Sequence, residues 1–467
     1  MTTVHRWIAF LAIAALQPAS AAYAAPAAHQ RADADALALA QKAIALRSVH
    51  GPGNQAPQVA ALFGDALAAG SGGRINVRIT PMDDTAYLIA NWPGRDRALK
   101  PIVILGHLDV VEAKRSDWQR DPFTPVIENG SLYGRGATDM KLDGAIAISA
   151  VLELLRQGYQ PRRSIVLAFS GDEETAMKSS QLLARDLAKS DLVLNIDGGG
   201  GVLDEATGKP KFFSWSADEK SYADYRLTVT NPGGHSSQPP QLNAIDELAA
   251  ALLKIHDHRF KPELGEVNKA FFLGAARFEA PATAAAMRTF AADPTNESAI
   301  ATLAAVPSLV GEIGTTCVVT MIEGGHAPNA LPQKVTANVN CRIFPGHSRA
   351  EVMAELKATI ADPAVAFENL SMMRGETGAS QIRPEFVHAL TKALAVAYPG
   401  VPAFPEVSAG ASDSIWFRAL GVPSYSASPT FVKQSEQFSH GLNEHTPLFN
   451  IPRGIDYYMS IIPSLSS

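Results

Sequence analysis

Residues 101–141 read PIVILGHLDVVEAKRSDWQRDPFTPVIENGSLYGRGATDMK, and the rest of the chain can be organised around them. The apolar run Ile102 to Leu105 predicts a buried strand that runs out into His107 and Asp109. A polar, Gly-rich turn then carries Asp139 to the start of a helix predicted over 141–157. A strand ending in His and a loop ending in Asp place two kinds of metal ligand at the carboxyl edge of a sheet.

Working outward, SIVLAFSGDEE (164–174) and DLVLNIDGGG (191–200) read as further strands ending in acids. Helical spacing covers 33–47, 58–69 and 176–189. INVRIT (75–80) and AYLIANWPG (86–94) read as an edge pair leading into the strand at Ile102. This alternation predicts an α/β sheet. After Ser216 the pattern changes. YADYRLTVTNPGGHS (222–236) reads as a strand and turn, 243–256 and 349–360 as helices, and TTCVVTMI (315–322) and VTANVNCRIF (335–344) as strands. From about Gly375 the α/β pattern resumes, with helices over 384–398 and 451–462 around a strand over 423–426. The expected organisation is a discontinuous catalytic domain, 31–216 and 375–467, interrupted by an α+β unit over 217–374. The Ala-rich stretch 262–314 is expected to enlarge the core of that inserted unit. At 467 residues the chain is long enough for two such domains.

The first 24 residues read as a secretory signal. His5 and Arg6 precede an apolar run from Trp7 to Leu16, and Ala22-Tyr23-Ala24 or Ala19-Ser20-Ala21 suits cleavage. The run is too short to span a bilayer. A periplasmic or secreted protein is expected, free of the membrane after cleavage. The net charge of -6 leaves no footprint for nucleic acid. The two Cys, Cys317 and Cys341, fall roughly opposite each other if their strands form a hairpin. That compartment allows a disulfide, and a reduced buried pair is the reading favoured from sequence.

His107, Asp139, Glu173, Glu174, Asp197 and His440 each end an apolar run or sit in a polar turn. Taken singly, an Asp after a strand is usually a turn or helix cap, and a lone His a satisfied core or surface residue. Together, His and carboxylates suit zinc, and one carboxylate can bridge two ions. The order GHLDVV, GRGATDMK, SGDEE, NIDGG, PGGHSSQP, GASDS and FSHGLNE resembles the M20 family of co-catalytic metallopeptidases, which includes carboxypeptidases, dipeptidases, aminoacylases and succinyl-diaminopimelate desuccinylases. GHSSQPP, the long insert after it, and NALPQKVTANVNCRIFPG resemble the carboxypeptidase S-like branch. Asp197 stands where several members carry Glu, and Gly198 where that branch usually carries an acid.

The resemblance implies a phosphorylase/hydrolase-like catalytic domain with a central mixed sheet, and an inserted lid that also serves dimerisation. It implies two Zn2+ per chain, with Co2+ or Mn2+ as substitutes. Asp139 would bridge the two ions, with His107 and Asp197 completing one and Glu174 and His440 the other. Glu173 would be the general base, and Asp109 would hold His107 through its second ring nitrogen. His235 would steady the oxyanion, often in the partner subunit's site. Arg342, Asn329, Gly410 and Ser412 would hold the substrate, and Asp413 would be a structural cap. A cis Asp139–Met140 bond is also implied. The expected reaction is hydrolysis of a short peptide beside a free C-terminal carboxylate. An N-acyl-amino-acid amidohydrolase and a binding protein that kept the fold are the rivals.

Overall fold

The computed structural model describes residues 29–371 and 378–467. The signal segment and Gly375 lie outside the described residues. Strand Ile102–His107 lies between two parallel neighbours, Ile165–Ser170 and Leu192–Asn195, in a ten-stranded mixed sheet. Its alternate residues face opposite ways, as the pleat requires. Ile102 and Ile104 join the core under helices Gln30–Ile44, Lys141–Arg156 and Asn450–Leu465. Val103 and Leu105 join a second core under Lys178–Asp186 and Ser414–Ala419. Burial on both faces explains why these strands are uniformly apolar rather than alternating. Because the three strands are parallel, their carboxyl ends emerge on one edge.

The pair Asn76–Met82 and Thr85–Trp92 forms one margin of this sheet. It docks against Ile165–Ser170 rather than against Ile102–His107, which already has both neighbours. The sheet continues beyond Leu192–Asn195 through Ser424–Ser426 to Pro210–Glu219, which pairs with Ala403–Ser408.

A separate four-stranded antiparallel sheet runs Thr316–Gly324, Lys334–Ile343, Ser221–Thr230, Ala366–Asn369. Helices Ala244–Asp257 and Arg349–Ile360 cover one face, burying Leu248, Ile255 and Leu356 against Leu227, Val229 and Val339. Both helices begin with a capping box, Asn243 with Asp246 and Ser348 with Glu351. Cys317 and Cys341 stand opposite each other in this sheet and are joined by a disulfide, which corrects the reduced pair favoured from sequence. The stretch 262–314 is helical as expected but packs elsewhere. Phe271, Phe272, Met287 and Leu309 bury against Phe212 and Phe404 of the large sheet, because those rings leave an apolar surface there. Among the described residues, no helix is long and apolar enough to cross a membrane.

Candidate metal centre

The carboxyl edge of the large sheet gathers six of the predicted residues. His107 ends its strand, Glu173 and Glu174 follow Ser170, and Asp197 follows Asn195. Asp139 enters from the Gly-rich turn before helix Lys141–Arg156. His440 enters from a loop tied to that turn by a small sheet, Val126–Glu128, Ser131–Tyr133 and His445–Pro447. Asp139 turns one oxygen to each imidazole: Oδ1 lies 3.0 Å from His107 Nε2, and Oδ2 lies 3.3 Å from His440 Nε2. His440 Nε2 is 3.0 Å from Glu174 Oε2, and His107 Nε2 is 3.9 Å from Asp197 Oδ2. Donors about 2.1 Å from a tetrahedral ion stand roughly 3.4 Å apart. The spacings therefore match the edges of two coordination shells sharing Asp139. The donor atoms of His107, Asp139 and Asp197, and those of Asp139, Glu174 and His440, each fall within 4.8 Å of one another.

The chain holds these donors from behind. His107 Nδ1 is 3.0 Å from the Asp109 carbonyl oxygen and 3.5 Å from Asp109 Oδ1. The Asp109 carboxylate mainly serves another loop, accepting from the backbone N–H of Glu173 at 3.1 Å and of Glu174 at 3.0 Å. One buried acid thus aligns a ligand on one strand with two acids on the next. Gly106 lets that strand pass Met140, since a Cβ there would stand 2.6 Å from the Met140 sulfur. Gly171 is equally constrained, its Cβ falling 2.2 Å from the Ala86 carbonyl oxygen. The Asp139–Met140 peptide is cis, as the resemblance implied.

Glu444, the last residue of the FSHGLNE motif, organises the Asp139 turn. It is fully buried. Its Oε1 accepts from the N–H of Thr138 at 2.6 Å and of Asp139 at 2.9 Å, and its Oε2 accepts from Arg135 Nη1 at 2.6 Å. An acid placed between His440 and the strand His445–Pro447 was the signal available in sequence. It could not be weighed without the partners, which lie some three hundred residues upstream.

The electrostatics follow from crowding. Burial, only partly offset by His107, and the nearby Asp197 and Glu174 push Glu173 well above the usual carboxylate range. Burial pushes Asp197 up to about 8 despite His107, with Asp139 and Glu174 adding to the rise. Burial and Asp139 raise Glu174, against the pull of His440. Burial opposes the charged form of Asp139 too, but hydrogen bonds to both imidazoles hold it below its ordinary value. The same bonds, from Asp139 and Glu174, raise His440 to about 10. The donor set fits divalent cations, which would let every carboxylate ionise together.

The other predicted residues divide. Arg342 lines a cavity of about 490 Å³ shared with Asp139, Glu173 and His440, and its guanidinium lies over the Tyr222 ring. Gly410 and Ser412 line it too. The Ser412 hydroxyl donates to Glu219 at 2.7 Å and accepts from Asn195 at 3.0 Å, so it is engaged within the fold. Asp413 makes no side-chain cap on helix Ser414–Ala419, which corrects the cap reading. Its buried carboxylate accepts from Ser170 beneath the ligand edge instead. His235 and Asn329 are exposed on the smaller domain, where the Ser236 N–H donates to the Asn329 carbonyl. Neither lines the cavity of this chain.

Comparison with known proteins places these features in context. A model of Peptidase family M20/M25/M40 matches residues 103–464. "Probable carboxypeptidase S-like 2" of Dictyostelium discoideum is 28% identical over 388 residues, covering 80% of this chain and 73% of that protein. "N-fatty-acyl-amino acid synthase/hydrolase PM20D1" of Xenopus tropicalis is 30% identical over 380 residues, covering 79% and 73%. Among solved structures, the M20 family metallo-carboxypeptidase Sso-CP2 from Sulfolobus solfataricus aligns with a TM-score of 0.70 at 19% identity, covering 92% of this chain and 98% of that one. Human carnosine dipeptidase 1 aligns with a TM-score of 0.66 at 16% identity, covering 94% and 98%. At these identities the structural matches speak for the fold.

Proposed function

Since the chain belongs to Peptidase family M20/M25/M40 and is a metallohydrolase of that type, we propose that it cleaves short peptides beside a free C-terminal carboxylate, using two divalent cations, zinc in the first instance. The observation that carries this reading is Asp139, which offers one oxygen to the His107 group and the other to the His440 group. When bound, two such ions supply Lewis acidity that polarises the scissile carbonyl and acidifies a water. His107, Asp197, Glu174 and His440 hold them, with Asp139 shared. Glu173, outside the two sets built on Asp139, takes the proton of the attacking water and returns it to the leaving amine nitrogen. Arg342 receives the substrate carboxylate on its planar fork.

A second reading, N-acyl-amino-acid hydrolysis, is favoured by the Xenopus relative's name and by the apolar residues Phe212, Phe271 and Leu309 in the same cavity. The bond chemistry is the same. We further propose that the smaller domain is a lid that pairs two copies through the edge strand Thr316–Gly324, whose Val318, Met321 and Ile322 are exposed. His235 would then act in the partner's cleft. The Cys317–Cys341 disulfide supports a place outside the cytoplasm. The deciding experiment is hydrolysis, with and without chelator, of dipeptides, C-terminally blocked dipeptides and N-acyl amino acids. Chelator-sensitive cleavage lost on blocking the carboxylate is expected. Cleavage indifferent to blocking would remove the carboxylate from the reading.

A further inference from the structure

The cavity that holds the metal ligands also carries carboxylates that the proposed reaction does not use. Glu312 lies in the turn Gly311–Ile313, and Glu406 in strand Ala403–Ser408, and both line the cavity. Glu312 is only 7% exposed, and its Oε2 has no hydrogen-bond partner. The Val407 N–H serves the Glu312 carboxylate, and Ser214 serves that of Glu406. The neighbouring Lys220 ammonium donates to the Gly314 carbonyl at 2.7 Å and eases the Glu312 charge only from a distance. Neither glutamate has an ion pair among the described residues. A buried carboxylate oxygen left without a donor is costly, and a native fold keeps one where something else supplies the donor. Phe212, Phe271 and Leu309, which pack together, give the same cavity an apolar wall.

We propose that Glu312 and Glu406 form a subsite for the cationic tip of a substrate side chain, so that the enzyme prefers peptides or acyl amino acids carrying a lysine-type residue. The methylenes of such a side chain suit the apolar wall, and its ammonium offers three donors to the two carboxylates. Burial and the charge of Glu406, only partly offset by Lys220, push Glu312 up to about 8, and burial pushes Glu406 up to about 7. Without a cation the pair therefore retains a proton near neutrality, which an incoming ammonium would displace. A long fatty chain would leave the Glu312 Oε2 without a donor.

The inference rests on the exopeptidase reading for its consequence, and its test separates the two. With metal-loaded full-length protein, kcat/KM is compared for Gly-Lys against Gly-norleucine and for Lys-Gly against norleucine-Gly, which differ only in the charged tip. In parallel, binding of Nα-acetyl-lysine and Nα-acetyl-norleucine to the Glu173→Gln protein is measured by calorimetry. The lysyl member should be favoured about tenfold in one orientation and in binding, as for a charged hydrogen bond. Glu312→Gln and Glu406→Gln, each checked for an unchanged melting curve, should remove the preference and spare the norleucine members. Equal or better binding of the norleucine ligand overturns the subsite, whether or not cleavage occurs. A lysyl binding preference without cleavage of any member sustains the subsite and overturns the exopeptidase reading.

Discussion

At the edge of the large sheet, Asp139, Glu173, Glu174 and Asp197 crowd together around His107 and His440. The smaller domain fills its sheet–helix interface with Leu227, Val229, Leu248, Val339 and Leu356 instead. The first region holds its groups in place by polar contacts drawn from distant parts of the chain. The second closes on itself through apolar packing, two capping boxes and a disulfide. The contrast separates two kinds of order. The smaller domain is ordered by its own apolar packing, whereas the ligand edge concentrates charge that the fold alone does not neutralise and that chemistry can use.

The sharpest way to break that contrast is to remove chemistry while leaving order. Glu173→Gln should lower kcat by about 10³-fold, the typical weight of a general base, with metal content unchanged by elemental analysis. Retained activity would show that the crowding at the edge is structural only. Next in size is Glu444→Ala. It strands the buried Arg135 guanidinium and frees the N–H groups of Thr138 and Asp139. Breaking a buried pair on one side costs about 3–5 kcal/mol. Urea unfolding should show a loss of this order, together with weaker metal binding, because Asp139 loses its backbone anchor.

On the other side of the comparison, replacing Cys317 and Cys341 by Ser should destabilise the smaller domain by about 3 kcal/mol, since the bridge closes a span of 24 residues. Metal binding should not change. If metal affinity fell with the disulfide, the two regions would be energetically one, and the contrast would fail.

Much of the ligand edge was legible because each ligand ends an apolar run, and parallel strands gather their ends in space. Val103 to Leu105 and Val166 to Phe169 carry that signal in residue type alone. The helical character of 262–314 was also legible, but its docking was not. An Ala-rich helix fits either unit, and Phe212 and Phe404, which receive it, lie on strands far away in sequence. Glu444 and Glu312 escaped for the same reason. A buried acid is written with the same letter as an exposed one, and only its partners distinguish the Glu444 carboxylate, served by Arg135, Thr138 and Asp139, from that of Glu312, whose Oε2 has no donor. The redox state of the Cys pair depended on strand register. One residue of slip would have put the two side chains on opposite faces.

The smallest expected effect is a slope, and it tests the charge crowding directly. In metal-free protein Asp197 titrates at about 8, against about 4 for an unfolded Asp. Between those values the folded chain holds a proton that the unfolded chain has released. Its stabilising contribution is therefore complete below about pH 4 and is lost as pH rises toward 8. His440, raised to about 10, acts with the same sign: its contribution is complete below about pH 6.5 and declines as pH rises above it. Asp139 is depressed, so its contribution changes only in acid, below the ordinary carboxylate range. The melting temperature of chelated protein should therefore fall by a few degrees between pH 5.5 and 8. Bound cations take over the balancing of Asp197 and its neighbours, and in their presence the slope should flatten or reverse. Calorimetric scans of the two forms across that range make the check. A metal-free slope that rises with pH would mean that the carboxylates are relieved by hydration or by relaxation of the loops, and that the ligand edge is no more frustrated than the lid.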